Sequence, residues 1–456
     1  MLRRLLSSQL RINMVSGVGV TLVNIAVLAV AYPMYLHFLG YEQYGVWLVL
    51  STVLTFAQLG NLGIGQAVMK LVAEEYGRHD LEAAQQYMAS AVVILMASGG
   101  VVFAVILLFR TPIVALFKLS AENARTVSWM LPYMACLSIY VFIVQAVNAM
   151  LSGFGRMDLA NYAQTGGRLV AVLVAGCLLF LGTGIKGLLI GSAASYIFIH
   201  IMSVALIRRV APVRILQTSN LNLTRMRRLV GFGCGVLGTS FLSMLLSPFN
   251  KVMLSRYAGV ASVPIYEIAY TGSMQIRGLA EAGLRALMPE ISRIGANMTE
   301  PARNRIREIN RRSLGLILRF ALPLYGIMIL TAPWLLRIWL GSRFTESLPP
   351  ALRIALIGSL LSLACVPAYY LLLGLGRVRE CFSGQAILAG VNTVLVLAFA
   401  WADSHLTLAE VLIATLIGMG VSSAYIIGQS HRMLRHSLRA AMVEPDSLKE
   451  IQVCPP

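Results

Sequence analysis

Five ionisable or phenolic side chains stand at helical spacing in one otherwise apolar stretch: Glu267, Tyr270, Arg277, Glu281 and Arg285, with Met274 completing the row. The steps between the six are 3, 4, 3, 4 and 4 residues, which puts them on one helix face. Such a stripe can hold an anion, relay a proton or neutralise itself. Arg277 and Glu281, at i and i+4, have the spacing of an intrahelical ion pair. The preceding apolar stretch adds Ser240, Ser243, Ser247 and Lys251 at steps of 3, 4 and 4, beside Pro248 and Asn250. Pro248 removes a helical hydrogen bond and predicts a kink. Lys251 either turns inward or snorkels to the headgroups, since Arg256 follows five residues later.

These groups are costly because of what surrounds them. Hydrophobic residues make up 58% of the 456-residue chain and charged ones only 12%. Charge-poor stretches of helix-spanning length recur throughout, each long enough to cross a hydrocarbon core of ~30 Å. The expected spans are 12–36, 45–67, 85–109, 127–152, 161–183, 187–207, 231–256, 263–288, 314–336, 351–373, 382–402 and 409–430. A charged residue at the centre of such a helix costs at least ~2.5–3.5 kcal/mol unless it is compensated. Arg277 lies about thirteen residues into its span, roughly 20 Å down. Its stripe is therefore expected to face protein or water and to wall a hydrated cavity. Glu267 and Glu281 are the acidic groups placed to couple transport to an ion. Asn24, Gln58 and Asn61 are further polar interruptions on the first two spans, where helix packing competes with ligand contact.

The net charge of +18 would suggest nucleic acid in a soluble protein, but its distribution argues for topology. Twenty-four Lys and Arg residues fall in the N-terminus, the alternate loops and the tail; six fall in the opposite loops (Arg110, Lys118, Arg125, Lys186, Arg337 and Arg343). The positive-inside rule then puts both termini in the cytoplasm and leaves no role for nucleic acid. Arg168 and Arg319, just inside their spans, are expected to snorkel. The N-terminal run is longer than a signal peptide and is read as an uncleaved first helix.

The chain also repeats. Gly153-Phe154-Gly155-Arg156 recurs as Gly374-Leu375-Gly376-Arg377, and Leu59, Gly63 and Ile64 match Leu279, Gly283 and Leu284. Offsets of 221 and 220 suggest a duplication of six helices. The resulting expectation is an all-α polytopic membrane protein of about twelve helices: a lobe over 1–207, a basic connector over 208–230, a second lobe over 231–430 and a cytoplasmic tail over 431–456. Transporters built from repeats carry their substrate path at the repeat interface.

Several catalytic signatures are missing. The six cysteines form no C-x-x-C pair or zinc spacing, and there is no P-loop, so neither a metal site nor a cofactor is expected. Gly233-Cys234-Gly235-Val236-Leu237-Gly238 matches G-x-G-x-x-G without a βαβ setting; Gly231 and Gly235 are expected to allow close helix packing. His37 and His200 stand without a nucleophile or carboxylate near them in the pattern. No enzyme is expected.

Particular segments carry a family resemblance: Asn13 entering span one, Leu39-Gly40-Tyr41-Glu42-Gln43-Tyr44-Gly45, Leu59-Gly60-Asn61-Leu62-Gly63-Ile64, Ala73-Glu74-Glu75, Leu151–Arg156, Pro289-Glu290-Ile291-Ser292 and Ile338-Trp339-Leu340-Gly341. With these the chain resembles the Wzx-type repeat-unit flippases, the polysaccharide-biosynthesis branch of the multidrug/oligosaccharidyl-lipid/polysaccharide (MOP) exporter superfamily. The resemblance implies two lobes around a central cationic cavity in the bacterial inner membrane. It implies flipping of undecaprenyl-pyrophosphate-linked oligosaccharides toward the periplasm for O-antigen, capsule or exopolysaccharide synthesis. Membrane lipids, a polysaccharide polymerase and chain-length proteins are the implied partners. Where relatives carry an aspartate in span seven, this chain has Asn250-Lys251. Arg277, Lys251, Asn250 and Tyr270, with Asn24, Gln58 and Asn61, are then the expected cavity groups. An ion-coupled multidrug exporter, a membrane polymerase or ligase and a glycan-assembly scaffold are the rival expectations.

Overall fold

The computed structural model describes residues 2–211, 222–284, 291, 294, 299–402 and 405–442. Residues 212–221 of the connector, Arg285, Pro289-Glu290, Ser292 and the tail beyond 442 lie outside the described residues, as do the side chains of Asn13, Ser240 and Ser243.

The described chain is helical: α1 (Leu2–Ala57), α2 (Ile64–Gly77), α3 (Leu81–Leu108), α4 (Arg110–Leu116), α5 (Ala121–Gly153), α6 (Met157–Phe180), α7 (Ile185–Val210), α8 (Leu223–Tyr257), α9 (Ser262–Leu284), α10 (Glu300–Leu340), α11 (Leu348–Ala364), α12 (Val366–Gly374), α13 (Val378–Ala402) and α14 (Leu408–Met442). Polar caps begin several of them. Asp80 Oδ1 accepts from the Ala83 amide at 2.8 Å, and Asn222 Oδ1 accepts from the Thr224 amide at 2.9 Å. Each satisfies an amide that the first turn leaves free.

Each expected span overlaps one or more of these helices, residues 285–288 of the eighth lying outside the described residues, yet nine helices among the described residues are long and apolar enough to cross a membrane. Two physical reasons account for the difference. The first two spans run together as α1, which turns at Gly40 (φ 68°, ψ 179°) without losing its flanking helices. Helix α9, with Glu267, Arg277 and Glu281, carries too many charged and polar residues to read as a plain apolar span, and in α8 the side chains at 234–240 and 242–243 lie outside the described residues.

Span two does not continue as expected to residue 67. Helix α1 ends at Ala57, a short 3-10 turn covers Gln58–Asn61, and Leu62 and Gly63 both adopt left-handed backbone before α2 begins. The second leg of α1 covers roughly 25 Å before this break. Irregular backbone at membrane depth persists only when buried in protein or lining a wet cavity.

The buried core is distributed unevenly. One large cluster joins both halves of the chain at the end opposite the termini, where Tyr32, Tyr44, Phe117, Leu254, Tyr266, Leu336 and Leu340 are packed together. At the termini end the clusters separate. One holds α2, α3, α5 and the start of α8, including Leu71, Met88, Met150 and Leu229; others hold Leu371 with Leu434 and Leu372 with Ile426. The two repeat motifs end their helices alike: Gly155 (φ 78°) and Gly376 (φ 74°) accept the left-handed turn that a side chain would resist.

Candidate functional site

Two groups of polar side chains lie inside the bundle. In the C-terminal half, Lys251 Nζ on α8 stands 2.7 Å from Glu267 Oε2 on α9, and Thr271 donates to Glu267 Oε1 at 3.0 Å. Both charged side chains are largely buried, at 12% and 15% exposure, so Lys251 turns inward and does not snorkel. Two turns further along α9, Arg277 Nη1 meets Glu281 Oε2 at 3.0 Å, and the Tyr370 hydroxyl donates to Glu281 Oε1 at 2.8 Å. The intrahelical pair allowed by the i, i+4 spacing is formed. The four intramembrane charges thus cancel in pairs, which makes each affordable in a low-dielectric interior.

Asn250 is fully buried, and Tyr270 is half-buried. Asn250 Nδ2 donates to Tyr266 Oη and Thr415 Oγ1, each at 3.1 Å, with Asn392 Oδ1 at 3.4 Å, and Asn250 Oδ1 accepts from Asn392 Nδ2 at 2.9 Å. This set ties α8 to α9, α13 and α14. Tyr270 stacks on Tyr266 with ring centres 5.3 Å apart.

The second group surrounds a cavity of about 550 Å³ in the N-terminal half. The break in span two supplies Gln58, Asn61 and Gly63; α5 supplies Gln145 and Asn148; α6 supplies Gln164 and Arg168; α7 supplies Tyr196; and Met244 of α8 closes one side. The amides are held in register by one another. Asn61 Nδ2 donates to Gln145 Oε1 at 2.7 Å, and Gln164 Nε2 donates to Asn148 Oδ1 at 2.8 Å. Asn148 is itself fixed by donating to Ser203 Oγ at 3.2 Å. Among the described residues the wall contains no carboxylate, and Arg168 is its cationic member. Among the described residues Arg168 has no acidic partner within ion-pair distance.

Sequence reasoning found Gln58 and Asn61 and missed Arg168, which it assigned to snorkelling. The missing signal was three-dimensional: Gln164 and Arg168 share a helix face, but their amide neighbours come from other helices. Arg319 is exposed, as snorkelling requires. Asn24 is half-buried on α1 and is not part of this cavity wall. Among the glycines of α8, close packing occurs at Gly233, whereas a Cβ on Gly231 would meet nothing within 4 Å, and the surroundings of Gly235 lie outside the described residues.

Comparison with known proteins gives this geometry a family. The chain is 21% identical over 333 residues to a putative O-antigen transporter of Shigella flexneri, covering 72% of this chain and 76% of the relative. Its fold matches an inward-facing multidrug-resistance MATE transporter of the MOP superfamily with a TM-score of 0.70 at 16% identity, over 92% of this chain and 96% of that one. An outward-facing MATE transporter matches with a TM-score of 0.61 at 14% identity, over 94% and 96% of the two chains. Residues 12–295, more than half of the chain, match the family described as Polysaccharide biosynthesis protein. The chain therefore belongs to that family, as a multi-pass membrane protein with the fold of the MATE transporters.

Proposed function

We propose that this protein flips polyprenyl-pyrophosphate-linked oligosaccharides across the bacterial inner membrane, from the cytoplasmic to the periplasmic leaflet, for surface polysaccharide synthesis. The observation that carries this reading is the cavity wall of amides, hydroxyls and one arginine, with no carboxylate among the described residues. Sugar hydroxyls are both donors and acceptors, and Asn and Gln side chains offer both. A guanidinium adds charge-assisted hydrogen bonds to an anionic group of the cargo. Broken membrane helices line substrate sites in other transporters, and the break at Gln58–Gly63 lines this one.

The uneven core supports alternating access. Both termini are cytoplasmic in this reading, so the shared cluster closes the periplasmic end while the separate clusters leave room at the cytoplasmic end. The two halves act as lobes: 1–207 and 231–430, joined by 208–230. Cargo enters from the cytoplasmic leaflet with its prenyl tail left in lipid. The lobes then rock about the shared core. Glu267 and Glu281 are the coupling candidates, because protonating either would free its cationic partner for the diphosphate. Arg277 and Lys251 act in this reading only when those pairs open.

The exporter of cationic drugs remains the rival reading, on the strength of the shared fold. A cation prefers a carboxylate-lined site, and this wall offers the opposite charge. The test is complementation of a deletion strain with Arg168→Ala. The expected result is loss of surface polysaccharide and accumulation of lipid-linked repeat units, with the protein still inserted. Normal export by that variant removes the cavity from the pathway. Gene-dependent resistance to toxic cations, with normal polysaccharide in the deletion strain, overturns the glycan reading itself.

A further inference from the structure

Three of the six cations in the outer loops converge on one place. Arg110, Lys118 and Arg125 line a cavity of about 540 Å³ between α4 and the first turns of α5, together with Thr111 and Ser128. No carboxylate is part of its wall, and none of the three cations has an acidic partner among the described residues. Lys118 and Arg125 are exposed, and Arg110 is half-buried with its Nε lacking any hydrogen-bond acceptor. The backbone at Lys118 is left-handed (φ 47°), a conformation that costs energy for a side chain with a Cβ.

The surroundings fix the depth of this cavity. Leu108, Phe109 and Leu116 flank it and are exposed, and Trp129 and Tyr133 are exposed on the next turns of α5. Exposed aromatics beside apolar side chains mark the boundary between headgroups and hydrocarbon. The same corner is braced against the far end of α8: Ser255 Oγ donates to the Phe117 carbonyl at 2.9 Å, and Arg256 Nη1 donates to the Leu116 carbonyl at 3.4 Å. The corner that carries the three cations is thus braced against α8, beside side chains of the kind found at headgroup level, on the side where the sequence otherwise spends few positive charges.

We propose that this corner is a binding site for the phosphate group of a lipid in the outer leaflet, distinct from the amide cavity and outside the path between the halves. Three cations around an acid-free hollow suit a group carrying more than one negative charge, and the apolar rim accommodates its acyl or prenyl chain. Two sources share that chemistry: a prenyl diphosphate newly delivered to the outer leaflet, or an anionic phospholipid resident there. The site rests on its own geometry and does not depend on the identity of the cargo.

The test is lipid binding to the purified full chain, read by native mass spectrometry with farnesyl diphosphate and with phosphatidylglycerol as separate probes. The exposed pair Lys118→Gln/Arg125→Gln should weaken binding about tenfold while leaving thermal stability unchanged. Loss for farnesyl diphosphate alone identifies the delivered lipid as the ligand; loss for both identifies a general phosphate site. If the paired variant folds and binds both probes as the parent does, the corner is not a lipid-phosphate site. Arg110→Gln, read the same way, gives an independent second measurement.

Discussion

Gly63 and Gly233 meet backbone to backbone. A Cβ on Gly63 would lie 2.3 Å from the Gly233 carbonyl oxygen, and one on Gly233 would lie 2.4 Å from the Leu62 carbonyl oxygen. The break in span two is thus seated directly on α8. Polar contacts extend the same junction toward the termini end: Arg228 Nη2 reaches Glu74 Oε2 at 2.8 Å and donates from Nη1 to the Tyr87 hydroxyl at 3.1 Å, while Arg225 donates to Gln86. The start of α8 therefore packs with the N-terminal half, although its middle, at Asn250, is tied to Asn392 and Thr415 of the C-terminal half.

The glycine contact should tolerate no side chain. Gly233→Ala forces two backbones apart and should destabilise this arrangement by about 1–3 kcal/mol, the usual cost of overpacking. Thermal unfolding in detergent measures it. Gly231→Ala on the same helix, with open space around it, should leave the unfolding midpoint within a degree or two.

The Lys251–Glu267 pair should be worth more broken than replaced. Glu267→Gln leaves a largely buried ammonium without its counter-charge, at a cost of about 3 kcal/mol. The double variant Lys251→Met/Glu267→Gln removes the orphan and should recover most of that loss. A double variant as unstable as the single would show that the two charges are not a coupled pair.

Arg277→Ala should abolish surface-polysaccharide export while the protein still inserts. Structural and transport roles are separated by Arg277→Ala/Glu281→Gln, which relieves the unpaired carboxylate but leaves no cation. Export restored in the double variant would make the pair a packing device; export still absent assigns the guanidinium to the transport cycle. Polysaccharide on whole cells, normalised to membrane protein level, is the readout.

The end opposite the termini is fastened by bonds between the two halves. Tyr41 donates its hydroxyl hydrogen to the Arg343 carbonyl at 2.7 Å, Arg343 Nη2 donates to the His37 carbonyl at 2.8 Å, and Trp339 Nε1 donates to the Ala29 carbonyl at 2.7 Å. Each is worth about 1 kcal/mol net. Tyr41→Phe with Trp339→Phe should then raise the open population at this end by about tenfold or more. The check is labelling of Val46→Cys, at a fully buried position, by an impermeant thiol reagent in a cysteine-free background. Unchanged labelling would mean that the aromatic packing, not these bonds, keeps the end closed.

Much of this protein was written in one dimension. The 3.6-residue period and the cost of charge in hydrocarbon located each span's helix and put Glu267, Arg277 and Glu281 on one face, because both constraints act along a single helix. The i, i+4 pair was legible for the same reason. What required the tertiary structure was everything assembled across helices. The partner of Lys251 lies sixteen residues away on another helix, and Asn250 is closed off by Asn392 and Thr415 from the far end of the chain. Arg168 looked like a snorkelling residue until Gln58, Asn61, Gln145 and Asn148 gathered around the same cavity. The break at Gln58–Gly63 was equally hidden, since its left-handed backbone is stabilised by contacts with α8 and not by its own apolar sequence. Local periodicity decides which faces of a helix must be sheltered; only packing decides what shelters them.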